Sequence, residues 1–213
     1  MQFKKSKFLI EKNVVPKQIC AFLHKYISKK EKVARYLFEE KLISPFTKYF
    51  GVFNDGQVAN TYSHYGDIAM ETLLDELNKT VEQKTKLKLI PMYSYMRFYK
   101  KGSILYRHTD RAACDVSATL NLGGDPWPIY LEPSGKKGRA GIKVELEPGD
   151  MLLYKGSDLE HWREEFLGKE CCQVFLHYNE RKNKKLPDIH DDRPFTGIPN
   201  FYIKDINKSW SKK

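Results

Sequence analysis

YSYMRFYKKGSILYRHTD, running from Tyr93 to Asp110, marks a change in the periodicity of the chain. From about Met92 onward, short runs rich in Tyr, Val, Leu and Ile alternate with Gly, Pro and Asp turns. The pattern predicts strands near 93–99, 103–109, 115–122, 128–132, 141–146, 151–155, 159–163 and 171–178. Turns are expected at Lys101-Gly102, Gly123-Gly124-Asp125, Ser134 to Gly138, Glu147-Pro148-Gly149-Asp150 and Gly156-Ser157. About eight short strands punctuated in this way read as a sandwich or jelly roll.

Upstream of this stretch the spacing is helical. Pro16 opens a segment from Lys17 to Ile27, in which Ile19, Phe22, Leu23, Tyr26 and Ile27 share one face. Asp67 is placed to cap a helix from Ile68 to about Lys84. Ala69, Leu73, Leu77 and Val81, with Met70 and Leu74 beside them, form its buried stripe. Phe46 to Tyr65 reads as loop with short strands. The organisation expected is one α+β domain over 1–213. Residues 1–91 are a mainly helical support, 92–178 a β core, and 179–213 a Lys-, Asp- and Pro-rich surface extension.

The chain has 213 residues and a formal net charge of +10, with 41% hydrophobic residues and 13% aromatic ones. A domain of this length buries roughly 70% of its unfolded surface and needs no covalent staple. The aromatic content argues against disorder. No run approaches the ~18 apolar residues of a membrane span. In the basic start, Met1 to Lys12, the apolar piece Phe8-Leu9-Ile10 is too short for a secretory signal, so a cytoplasmic location is expected. Cys20, Cys114, Cys171 and Cys172 contain no CxxC pair, which excludes a zinc ribbon, and are expected as reduced, buried thiols.

The residues that carry chemistry are His108, Asp110 and His161. In a strand, positions i and i+2 share a face, so His108 and Asp110 present an imidazole and a carboxylate to one point. His161 follows the Gly149-Asp150 turn and the apolar strand Met151-Leu152-Leu153-Tyr154. Two histidines and one carboxylate make the facial triad that holds Fe(II) with open positions. Taken singly, each has a plainer reading as a surface, core or turn residue. The strand Asp115 to Leu122 turns Asp115, Ser117, Thr119 and Asn121 to one face, as a strand lining a cavity does.

These motifs resemble the iron(II)- and 2-oxoglutarate-dependent dioxygenases, in the prolyl 4-hydroxylase-like branch. The resemblance runs from Tyr95-Met96-Arg97-Phe98-Tyr99 and Gly102 into His108-Thr109-Asp110. It continues through Asp115 to Leu122 and Glu147 to Tyr154, then His161 and Gln173 to Tyr178, about 40% of the chain. It implies a double-stranded β-helix, a cupin-like jelly roll with the N-terminal helices packed on one sheet. It implies Fe(II) on His108, Asp110 and His161, with 2-oxoglutarate and O2 as co-substrates and ascorbate as supporting reductant. The reaction implied is hydroxylation of a C–H bond, with a prolyl residue of a peptide or protein as candidate substrate and succinate and CO2 as co-products.

Further roles follow from the same resemblance. Ser117 and Asn121 occupy the positions of a Thr and a Tyr that line the family's co-substrate pocket. The family's anchoring cation begins the last strand, which points to Lys169. Arg163, two residues past His161, is the rival. Leu105 stands where prolyl hydroxylases keep a Tyr, and Tyr99 and Arg97 are the candidates to fill that gap, Arg97 also as a substrate contact. Trp127 and Trp162 are assigned to the substrate mouth, and the loop Pro133 to Arg139 reads as a hairpin tip in preference to a lid.

Three other classes were open. One is nucleic-acid dealkylation on the same fold, whose Arg-rich signature after the distal His is replaced here by Glu164, Glu165 and Glu170. Another is a non-catalytic cupin-like metal-binding module. The third is a basic nucleic-acid binder, for which no recognition motif is present. Charge partition bears on the last: residues 92–178 carry 12 basic and 12 acidic side chains, whereas 1–91 carry a net +6 and 179–213 a net +4. The excess lies in the flanks, which makes a nucleic-acid partner for the core unexpected.

Overall fold

The computed structural model describes residues 2–181 and 189–199. Its elements are α1 (Gln2–Ser6), β1 (Phe8–Glu11), α2 (Lys17–Glu39), β2 (Val52–Phe53), β3 (Tyr62–Tyr65), α3 (Ile68–Thr85) and β4 (Leu89–Lys100). There follow β5 (Leu105–His108), β6 (Val116–Gly124), β7 (Ile129–Leu131), β8 (Ile142–Val144), β9 (Met151–Tyr154), β10 (His161–Arg163) and β11 (Glu170–Glu180). A seven-stranded sheet runs β1-β9-β6-β11-β4-β3-β2, and a four-stranded sheet runs β5-β10-β7-β8. All pairings are antiparallel. The two-sheet jelly roll is what the periodicity predicts, but β1, β2, β3 and the start of β4 fall within 1–91 and join the larger sheet.

The larger sheet has two chemically different faces because its strands alternate. Val116, Ala118, Leu120 and Leu122 of β6 join Met96 and Phe98 of β4 and Cys172, Val174 and Leu176 of β11 in one apolar cluster. That cluster also takes in Cys20, Leu23 and Ile27 of α2 and Met70, Leu74, Leu77 and Val81 of α3. Both helices therefore seal this face, at about 25 cal/mol per Å² of apolar surface buried. The opposite face turns inward, toward the small sheet. Cross-strand register stacks it in rows: Tyr93–His177–Ser117, Tyr95–Phe175–Thr119 and Arg97–Gln173–Asn121.

The helices differ from expectation in detail. α2 continues to Glu39, past Ile27, because Glu31 and Ala34 extend the buried stripe and Glu31 accepts from Arg35 one turn on, at 2.5 Å. In α3 the fully buried line is Met70-Leu74-Leu77-Val81, while Ala69 and Leu73 sit at its margin. Asp67 caps α3 as expected, accepting from the Ala69 and Met70 amides at 3.0 and 3.3 Å. Phe8-Leu9-Ile10 forms an edge strand on β9, Phe8 opposite Tyr154. All four cysteines are free and buried. The Pro133 to Arg139 segment joins the paired strands β7 and β8, as a hairpin tip does. No described helix is long and apolar enough to cross a membrane.

Candidate metal centre

His108 closes β5 and His161 opens β10, and the two are direct partners in the small sheet. Their rings lie 4.2 Å apart between centroids. Asp110 follows β5 and is fixed by its amide, which donates to the Gly156 carbonyl at 2.8 Å. Its Oδ1 stands 3.8 Å from His108 Nε2 and 3.4 Å from His161 Nε2. One donor atom from each residue falls within 4.8 Å of the others.

The hydrogen bonds behind these atoms decide what they can do. His108 Nδ1 donates to the Tyr106 carbonyl at 2.7 Å, and His161 Nδ1 to the Leu159 carbonyl at 3.0 Å. A carbonyl only accepts, so each Nδ1 carries a proton and each Nε2 is the nitrogen turned toward Asp110. Ser117 Oγ donates to Asp110 Oδ2 at 2.6 Å, and His177 Nδ1 supports Ser117 at 3.1 Å. Oδ2 is thereby engaged and Oδ1 left facing the imidazoles. Burial alone would raise the Asp110 carboxyl; His161, His177 and the Ser117 hydroxyl outweigh it and hold the group well below the usual carboxylate range. Burial, reinforced by neighbouring His161, lowers His108. Burial likewise lowers His177 to about 4, so it is neutral near pH 7. Two imidazoles and one carboxylate on one face are a donor set for a divalent transition metal with open positions.

A cavity of about 380 Å³ opens over these three residues. Its wall includes Tyr93, Tyr95, Arg97, Phe175 and His177 from β4 and β11, and Leu105 from β5. Tyr65, Gln57 and Arg111 stand at its rim. Deeper in the barrel lies Arg163, only 1% exposed. Its Nη1 donates to the Trp127 carbonyl, and its guanidinium sits 5.0 Å from the Trp127 ring. Among the described residues its Nε and Nη2 have no hydrogen-bond partner, nor does Gln173 Oε1. Burial lowers the Arg163 pKa, and no carboxylate is among the groups that offset it. A buried guanidinium without an anion is costly.

The remaining assigned residues separate clearly. Lys169 is exposed at the start of β11, its backbone amide bonded to Asp125. The Arg or Lys position expected there faces solvent, because the Gly168 turn precedes it and the strand enters the barrel only at Cys171. Asn121 is buried, but its side chain is used locally, donating to the Leu146 carbonyl at 2.6 Å and accepting from the Gly123 amide at 2.8 Å. It does not line the cavity. Trp127 lies beneath Arg163 and packs on Tyr99 and Phe166, so it is a floor and not a mouth. Trp162 stacks on Tyr130 at 5.4 Å with the Arg107 guanidinium 3.4 Å from its ring. It lies outside the cavity lining, since it alternates with the inward His161 and Arg163. Ser117, Tyr99 and Arg97 face the barrel interior.

Several cavity residues had not been assigned: Tyr65, Tyr93, Tyr95, Arg111 and His177. For Tyr93 and Tyr95 the signal is the alternation Tyr93-Tyr95-Arg97-Tyr99, which places four polar-tipped side chains on one face of β4.

No family model matches the chain, and no curated protein matches it in sequence. Solved structures match it in shape. A Pseudomonas putida prolyl-4-hydroxylase superposes with a TM-score of 0.62 at 14% identity, covering 84% of this chain and 96% of that one. HygX from Streptomyces hygroscopicus, with nickel, 2-oxoglutarate and hygromycin B bound, gives 0.55 at 16% identity, with 90% of each chain covered. The viral collagen prolyl hydroxylase of Paramecium Bursaria Chlorella virus-1, in a 2-oxoglutarate complex, gives 0.55 at 10% identity, covering 84% and 98%. The chain thus has the jelly-roll fold of the 2-oxoglutarate–Fe(II) oxygenases.

Proposed function

We propose that this chain is an Fe(II)- and 2-oxoglutarate-dependent oxygenase that hydroxylates a C–H bond. One observation carries the reading: a His108–Asp110–His161 face whose donor atoms converge within 4.8 Å shares its barrel with Arg163, a buried cation with no anion among the described residues. His108 Nε2, His161 Nε2 and Asp110 Oδ1 would hold the metal. Arg163 would take the far carboxylate of 2-oxoglutarate, with the buried Tyr99 hydroxyl beside it, in place of Lys169. When bound, iron and 2-oxoglutarate supply the oxidising power: O2 is consumed, succinate and CO2 leave, and one oxygen atom enters the substrate.

The chain's own residues do the rest. The Nδ1 bonds to Tyr106 and Leu159 lock both imidazoles in the ligating tautomer. Ser117 and His177 orient the carboxylate. Trp127, Phe166 and Tyr99 exclude water from the anchor. The wall of Tyr93, Tyr95 and Phe175 positions the substrate. A non-catalytic cupin-like module has no need of the unpaired Arg163. The exposed Glu164 and Glu165 after the distal His disfavour a nucleic-acid substrate.

The prolyl-4-hydroxylase and HygX likenesses leave a peptide prolyl residue and a small molecule both in view, and we take a prolyl residue as the first substrate to try. Four reduced thiols fit a cytoplasmic setting. The test is succinate formation from 2-oxoglutarate with Fe(II), O2 and ascorbate. The wild-type protein should turn over slowly without substrate, and His108→Ala should lose all of it; turnover untouched by His108→Ala would refute the assignment.

A further inference from the structure

Three arginines serve the barrel, and they differ in one respect. Arg163 has no carboxylate partner among the described residues. Arg97 has Asp55, whose Oδ2 accepts from Nε at 2.9 Å, while Gln57 accepts from Nη2 at 2.6 Å. Arg111 has Asp191, which accepts from Nη1 and Nη2 at 2.7 Å each in a two-pronged pair. Both aspartates reach in from outside the barrel core, Asp55 from the loop between β2 and β3 and Asp191 from the C-terminal segment.

The second placement is built at a conformational cost. His190, Asp191 and Asp192 are three successive non-glycine residues in the left-handed region, at φ of 51°, 58° and 63°. Arg193 pins the turn, buried and donating to Glu71 Oε2 at 3.0 Å and to the Met92 carbonyl at 2.7 Å. Asp191 also accepts from the Tyr65 hydroxyl at 2.5 Å. Strain held by a buried arginine thus delivers one carboxylate to a cavity-rim guanidinium.

We infer that Asp55 and Asp191 are specificity-determining residues that neutralise the cavity arginines, so that the site accepts an uncharged substrate group and rejects anions. The inference rests on the oxygenase reading and names the substrate class for it. Fe(II), Asp110, the 2-oxoglutarate dianion and Arg163 cancel in charge. Arg97 and Arg111 are each cancelled by their aspartates. A substrate therefore meets a neutral wall of tyrosine rings and hydrogen-bonding tips, suited to an amide or a hydroxylated ring. An acidic substrate would have to displace an aspartate that the fold strains to supply. A two-pronged Arg–carboxylate pair is hard to displace.

The test uses the full chain loaded anaerobically with Fe(II) and 2-oxoglutarate, loading being followed by the visible charge-transfer band of that complex. Benzamide and benzoate, equal in shape and different in charge, are titrated calorimetrically. Wild type should bind benzoate about tenfold more weakly than benzamide or worse, and Asp191→Asn should gain about tenfold in benzoate affinity. The gain should vanish when Arg111→Gln is added. If Asp191→Asn loses the band, Asp55→Asn is the second variant, with the same gain expected. Benzoate binding to wild type as tightly as benzamide, or a loaded variant without the gain, would overturn the inference. Absence of the band from wild type would instead overturn the oxygenase reading itself.

Discussion

Gly156 backs the Asp110 carboxylate so closely that a Cβ on it would lie 2.3 Å from Asp110 Oδ2 and equally close to Ser117 Oγ. No side chain fits there without moving the ligand. Gly156→Ala should therefore fold and yet bind Fe(II) about 10–100-fold more weakly, the range for disturbing a ligand's support. Calorimetric titration with Fe(II) or Co(II) measures it, and native affinity would show that Asp110 is not the ligand.

Ser117 holds the same carboxylate oxygen, donating to Asp110 Oδ2 at 2.6 Å. Ser117→Ala frees Asp110 Oδ2 and unseats His177. Metal affinity should fall about tenfold, with a smaller loss for Ser117→Thr, which keeps the hydroxyl. Co(II) absorption spectra report both affinity and ligand geometry. An unchanged spectrum in Ser117→Ala would count against the orienting role.

Arg163 and Lys169 make opposite predictions. Arg163→Met removes a buried charged donor and should raise the 2-oxoglutarate concentration needed for half-saturation about 100-fold or more. Lys169→Ala removes an exposed side chain and should shift it less than about twofold. Succinate formation against 2-oxoglutarate concentration decides between them. The reverse pattern would return the anchor to Lys169.

Asp67 ties α2 to α3. Its carboxylate caps α3, and Lys30 and Tyr26 donate to it at 2.5 and 2.7 Å. Burial would raise its pKa, but His64 and Lys30 outweigh that and hold it well below the usual range. A folded-state pKa below the unfolded value near ~3.9 gives stability that is fully present above that value. It is lost as pH falls further, toward the folded pKa. Asp67→Ala should cost about 3 kcal/mol at pH 7, or roughly 10 °C in Tm. Its stability should also fall less steeply than wild type below about pH 4. Calorimetric melts across pH 2 to 7, on the order of one per unit, test both.

The metal triad was legible because its signal is local. His108 and Asp110 lie two residues apart at a strand end, and His161 stands next to its own strand. The proposed anchor was half legible. Spacing favoured Lys169 and strand continuation past His161 kept Arg163 as the rival, but only the packed barrel shows that Arg163 has no anion among the described residues. Asn121 failed for a related reason: strand alternation put it on the right face, and a local bond to Leu146 took its side chain away. Asp191 had no signal at all. It lies 80 residues from Arg111, in a stretch whose composition reads only as surface. β1 was hidden likewise, because three apolar residues become a strand only beside Leu152 and Leu153, far along the chain.

On the proposed reading, one barrel holds Fe(II) on His108, Asp110 and His161 and 2-oxoglutarate on Arg163 together. Anaerobic addition of Fe(II) and 2-oxoglutarate to the metal-free protein tests this most directly. A visible charge-transfer band should appear at one equivalent, decay on admission of O2 with release of succinate, and be absent from His161→Ala. No band in the wild type, or a band of equal strength in His161→Ala, would contradict the account.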